Sequence, residues 1–122
     1  MSGEARAPIT RRALGEAMER RAEEYLKRHQ LRPIARNHRC RQGEIDLIMR
    51  DGAVLVFVEV RYRRSARFGT PAETVDWRKQ RRLAAAANHY LSGHPTVLPC
   101  RFDVVAISGD DQIAWIKNAF EL

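Results

Sequence analysis

Gly43-Glu-Ile-Asp-Leu-Ile-Met-Arg-Asp-Gly-Ala-Val-Leu-Val-Phe-Val-Glu-Val-Arg61 is the stretch around which the rest of the chain can be read. Asp51-Gly52 is a two-residue hairpin signal, because both positions tolerate the positive φ of a type I′ turn. With those two residues as the loop, Arg50 faces Ala53, Ile48 faces Leu55, Asp46 faces Phe57 and Glu44 faces Glu59. A symmetric four-residue loop leaves this register unchanged. Side chains two apart share a face of a strand. Glu44, Asp46, Glu59 and Arg61 are therefore expected on one side with Ile48, Leu55 and Phe57. Ile45, Leu47, Met49, Val54, Val56, Val58 and Val60 are expected on the other. Residues 53–60 are apolar on both faces except at Glu59, the pattern of a central strand covered twice.

Like charges facing each other destabilise a hairpin. Three carboxylates, from Glu44, Asp46 and Glu59, converging at the end of a buried strand suggest a hard cation of the Mg²⁺ type held by oxygen ligands. The plainer alternative puts Glu44 and Asp46 on a solvated edge and pairs Glu59 with a nearby arginine. An acid in so apolar a strand favours the metal.

An acid, a turn and then Glu-x-Lys on the next strand is the pattern of the PD-(D/E)xK nucleases. The fuller string, Gly43-Glu-Ile-Asp-Leu-Ile with Val56-Phe-Val-Glu-Val-Arg61, resembles the bacterial YraN-like (UPF0102) family, regarded as distant relatives of archaeal Holliday-junction resolvases. The resemblance extends to Gly15-Glu16, Tyr25-Leu26, Lys79, Arg82-Leu83 and Arg101-Phe-Asp-Val-Val, nearly the whole chain. It implies a restriction-endonuclease-like fold and an Mg²⁺- or Mn²⁺-dependent endonuclease acting on DNA, branched or structured DNA included. It also implies Asp46, Glu59 and the Val60 carbonyl as metal ligands, with Glu44 just outside them and Glu16 brought into the site. One departure matters, because Arg61 stands where the family pattern has lysine.

The chain has 122 residues, 44% of them hydrophobic and 30% charged. That length suits one domain burying roughly two thirds of its unfolded surface. Ala53 to Val58 is the longest apolar run, too short to span a bilayer, and no signal-peptide core is legible at the N-terminus. Cys40 and Cys100 lie far apart, which suits a reducing cytoplasm better than a disulfide framework. The net charge of +7 is uneven: residues 1–42 and 61–82 each carry +6, and residues 43–60 carry −3. An acidic centre bracketed by basic segments suits a polyanion presenting its backbone to a metal.

Residues 1–10 read as a flexible basic tail, and 11–122 as one domain. Thr10 is a candidate cap for a helix over 11–30, with Leu14, Ala17, Met18, Ala22, Tyr25 and Leu26 as its apolar stripe. Glu16 falls opposite that stripe, so a solvated position and a catalytic one stay equally open. Pro33 is expected to end the helix, and Ile34 to Arg39 to form a first strand. The run Arg61, Tyr62, Arg63, Arg64, Arg67 and Phe68 reads as a loop able to grip phosphates and stack on a base, or as ordinary solvated charge.

Thr74 or Asp76 caps a second helix to about Leu91, whose narrow face of Leu83, Ala86, Ala87, Tyr90 and Leu91 suits packing on a sheet. Lys79 falls on that face and is the best substitute for the missing lysine. Arg78 points outward as a nucleic-acid contact, and Gln80 is placed to meet substrate or a metal-bound water. Cys100–Ile107 reads as a buried strand parallel to the central one, with Asp103 in a structural role rather than just outside the metal ligands, and Gln112–Lys117 as an edge strand. The order of elements gives an α/β sandwich with a central mixed sheet flanked by helices. Two functions follow from the whole reading, a DNA endonuclease and a DNA-binding protein that cuts slowly or not at all. Resolvase-like symmetric cutting would require a homodimer, and no membrane partner is expected.

Overall fold

The computed structural model describes residues 8–64 and 75–121. Thr10 opens helix α1 (Arg11–Arg28), its hydroxyl accepting the Ala13 N–H at 3.0 Å. The helix stops before Pro33 is reached. Gln30 takes a left-handed φ of 74° instead, and strand β1 (Arg32–Arg39) already contains the proline. That is tolerated because β1 is an edge strand, where a missing N–H need not break a ladder. Strands β2 (Glu44–Asp51) and β3 (Val54–Arg63), helix α2 (Trp77–Gly93), and strands β4 (Cys100–Ser108) and β5 (Ile113–Phe120) follow.

The five strands form one sheet in the order β1-β2-β3-β4-β5. Only β3 and β4 are parallel, joined by the α2 crossover, and the other neighbours are antiparallel. Helix α1 covers one face through Ala22 and Leu26, which pack with Leu47, Met49, Val56, Val58, Val105 and Ile107. Helix α2 covers the other through Leu83, Ala86, Ala87 and Tyr90, against Ile48, Leu55, Phe57 and Val104. Burial of Leu55 through Glu59 without a break identifies β3 as the doubly covered centre. This is the expected sandwich with a central mixed sheet. Helix α1 is fastened to β1 by Glu23, whose buried carboxylate accepts from Arg36 at 2.7 and 2.6 Å. That guanidinium holds the Glu23 carboxyl below its ordinary range.

Two details of the central hairpin differ from the sequence reading. Its turn is Gly52-Ala53, with Gly52 at φ 58°, and Asp51 faces Val54. Every pair therefore shifts by two: Ile48 lies opposite Phe57, and Arg50 opposite Leu55. Asp51 belongs to the strand because its carboxylate is held by Arg101 at 2.8 Å, a long-range pair that no local turn rule contains. A shift of two preserves faces, so the core assignment of 47–58 survives. Residues 44 and 45 do not follow it. Ile45 packs on the α2 side and Glu44 lies beside Glu19 of α1, the reverse of strict alternation. The slip occurs where β2 and β3 stop pairing, after Leu47 and Val58. Across β1, Asn37 sits at φ 49°, a left-handed conformation that asparagine tolerates better than most residues.

Candidate metal centre and catalytic pocket

The slip creates the pocket. Past Leu47 the Val60 N–H no longer bonds a β2 carbonyl, and the Asp46 carboxylate accepts it instead at 2.8 Å. Asp46 is thereby turned into a pocket of about 330 Å³ between the end of the sheet and both helices, lined also by Glu19, Glu59, Arg61, Tyr62 and Lys79. Glu59 is only 4% exposed. Its Oε2 lies 3.3 Å from Lys79 Nζ and 3.7 Å from Arg61 Nε. Lys79 points inward because it shares the face of α2 that carries Leu83, and Asp76 caps the helix by accepting the Lys79 N–H at 2.9 Å.

Burial pushes the Asp46 carboxyl up to about 9, helped by its hydrogen bond with and repulsion from Glu59 and by Glu19, and opposed by the Val60 N–H. A carboxyl drawn out of water and set against other carboxylates holds its proton well above the ordinary range. Oxygens of Glu19, Glu44 and Asp46 lie within 4.8 Å of one another. That spacing lets one hard cation with ligand bonds of about 2.0–2.6 Å touch all three. The donor set is carboxylate only, which suits Mg²⁺, Mn²⁺ or Ca²⁺ rather than a softer metal.

Of the two positions open to Glu16, the structure has the solvated one. Glu16 is exposed and pairs with Arg12 at 3.4 Å, outside the pocket. Glu19 lines the pocket instead, its carboxylate bonded to Asn37 Nδ2 at 2.9 Å. The signal was in the helix: the residues that α1 buries deepest include Ala22 and Leu26, and Glu19 lies three and seven positions before them on the same stripe. A wheel drawn through Leu14, Met18 and Tyr25 is turned too far round to include it. Glu44 stands at the rim, bonded to Asn37 at 3.4 Å and Arg39 at 3.2 Å.

The basic run is divided. Tyr62 and Arg63 belong to β3, which extends two residues beyond Arg61, so they are not in a loop as expected. Tyr62 is 40% exposed at the pocket wall. Arg64 is exposed just after the strand, whereas Arg67 and Phe68 lie outside the described residues. Arg78 is exposed and lies over the Trp77 ring, 5.6 Å from its centroid. Gln80 does not face the site, since its amide donates to the Val75 carbonyl at 2.9 Å. Asp103 is fully buried in a structural network with Arg101, Trp115 and Asn118.

One family model matches residues 18–107, a span that holds Glu19, Glu44, Asp46, Glu59 and Lys79 and excludes Glu16. The chain belongs to UPF0102, described as an uncharacterised protein family. Similar UPF0102 proteins include one from Xanthomonas campestris pv. campestris, 52% identical over 118 residues that cover 94% of this chain and 97% of the relative. One from Photobacterium profundum is 50% identical, covering 91% and 92% of the two chains. One from Nitrosospira multiformis is 49% identical, covering 93% and 98%. Among the described residues no helix is long and apolar enough to cross a membrane.

Proposed function

We propose that this UPF0102 protein is a metal-dependent endonuclease that hydrolyses phosphodiester bonds in DNA, with branched or structured DNA as its substrate class. The observation that carries the reading is the pairing of half-buried Asp46 with buried Glu59, with Lys79 and Arg61 gathered on the Glu59 side of one open pocket. Asp46 and Glu59 would hold Mg²⁺ or Mn²⁺ with the Val60 carbonyl. Glu19 and Glu44 would hold the far side of that ion or a second one. The ion, when bound, polarises the phosphate and lowers the pKa of an attacking water.

The protein's own groups do the rest. Glu59 keeps the Lys79 ammonium at the pocket wall, and Arg61 adds a guanidinium beside it. Both neutralise charge that builds on the phosphate as it is attacked. Tyr62, Arg63, Arg64 and Arg78, with Arg67 from the undescribed segment, would contact the flanking strand. Symmetric cutting of a four-way junction would take two copies of the chain, and cellular DNA places the activity in the cytoplasm.

A second reading, a DNA-binding protein that does not cut, is favoured by Arg61. Arginine stays protonated at any working pH and cannot serve as a general base. Purified protein with Mn²⁺ or Mg²⁺, offered linear, flapped and four-way DNA, separates the two. A nuclease cuts at least one of them, Asp46→Asn abolishes cutting, and Lys79→Ala lowers the rate by roughly 10²–10³ with binding little changed. Arg61→Lys retains or raises the rate. Binding without cutting by both wild type and Arg61→Lys would leave the binding protein standing.

A further inference from the structure

A second groove, of about 580 Å³, runs from the catalytic pocket along the junction of the β1–β2 turn and α2. Its walls are Arg39, Arg41, Lys79 and Arg82, with Glu44 the only acid among its lining residues. Lys79 lines both the groove and the acidic pocket, so the two adjoin across its side chain. The turn lies directly on the helix: a Cβ at Gly43 would come within 2.7 Å of the Arg82 carbonyl oxygen. The groove is therefore a fixed feature of two packed elements. Among the described residues Arg39 pairs with Glu44 at 3.2 Å, whereas Arg41 and Arg82 have no acidic partner. Both are exposed at its rim.

We infer that this groove holds the sugar–phosphate backbone of one nucleic-acid strand as it leaves the acidic pocket, Arg82 and Arg41 gripping successive phosphates beyond Lys79. The inference rests on the nucleic-acid reading above and adds the path of the strand. The path follows from charge and adjacency: a strand whose phosphate meets Asp46 and Glu59 finds an uncompensated pair of guanidinium groups on the other side of Lys79. A fork matched to phosphate oxygens is what arginine supplies there. Neither arginine supports the core, so their removal leaves the fold intact.

Cys40 lines the groove and Cys100 lies at a separate groove by β5, which gives the unmodified protein its own reporter and internal control. The experiment uses the full chain in EDTA with a fluorescein-labelled single strand and a four-way junction. Iodoacetamide labelling of each cysteine is followed by mass spectrometry, and affinity is followed by polarisation across a salt series. Bound DNA should slow Cys40 labelling severalfold and leave Cys100 unchanged. Arg41→Ala with Arg82→Ala should reduce the salt slope for the single strand by about 0.7 per lost phosphate contact. DNA that binds with Cys40 unprotected and the slope unaltered in the double variant would overturn the groove and leave the nucleic-acid reading in place. Failure of wild type to bind either DNA would overturn both.

Discussion

Asp46 and Asp103 are aspartates on strands of the same sheet separated only by β3, the first half-buried at a pocket and the second fully buried, and they are surrounded in opposite ways. Asp103 receives Arg101 at 2.9 and 3.1 Å, the Trp115 indole at 2.9 Å and the Asn118 N–H at 2.9 Å. Asp46 receives one backbone N–H, from Val60, and faces the acids Glu59 and Glu19. Every lone pair of the first has a donor, and the carboxylate ties β4 to β5. The second is held where charge repels charge, at the point where two strands part. A buried carboxylate supplied with donors is part of the scaffold, and one supplied with other carboxylates is a place for a cation. Both stand in apolar strands, and only their partners tell them apart.

The largest effect should come from breaking the satisfied member. Asp103→Ala leaves the half-buried Arg101 guanidinium with only Asp51 to meet it, together with an indole and an amide without acceptors. Urea denaturation should report a loss of about 3–5 kcal/mol. A loss below about 1 kcal/mol would show that the network is solvated and the contrast with Asp46 is false.

Asp46→Asn should act in the opposite direction. Without metal the amide keeps an acceptor for Val60 and, unlike the carboxyl, need not take up a proton on folding, so the protein should gain about 1–3 kcal/mol near neutral pH. The gain should depend on pH in a stated sense. The folded protein keeps a proton on Asp46 up to about 9, whereas the unfolded chain releases it near the ordinary value of 3.8. This contribution to wild-type stability is therefore complete below about pH 4 and is lost as pH rises toward 9, by up to about 1.4 kcal/mol per pH unit. Melting curves of wild type and variant should diverge as pH rises, and curves that stay parallel would mean that Asp46 titrates normally.

The two aspartates also mark how far the sequence could be read. The central strand, the parallel β4, the α2 face with Lys79 and the structural part of Asp103 were legible, because alternation, helical spacing and crossover rules act locally. The hairpin turn was not, because Asp51 is drawn into the strand by Arg101, a partner 50 positions away. Glu44 and Ile45 changed faces because the β2–β3 ladder ends at Leu47, and no local pattern announces where a ladder ends. Glu19 was hidden because the stripe is centred on half-buried Leu14, Met18 and Tyr25, although it also runs through buried Ala22 and Leu26. Buried Glu23 was missed because its reason, Arg36, lies on another element.

Exchanging the two α1 acids sharpens the assignment with a smaller effect. Glu19→Gln should weaken Mn²⁺ binding by about tenfold, the scale of losing one carboxylate at the edge of a metal site. Glu16→Gln should bind as wild type does, and equal weakening by both would return Glu16 to the site. Smaller still, Arg63→Ala with Arg64→Ala should lower the salt slope of duplex binding by up to about 0.9 per lost phosphate contact. An unchanged slope would make these residues ordinary solvated charge.

Titration calorimetry with Mn²⁺ on wild type and Asp46→Asn tests the central claim most directly, because it needs neither a substrate nor an active enzyme. Wild type should bind the ion with release of a proton and with affinity rising with pH, since the metal must displace the proton that Asp46 holds. Asp46→Asn should bind far more weakly and release none. Equal affinity and equal proton release by the two proteins would contradict the account and remove Asp46 from any metal centre.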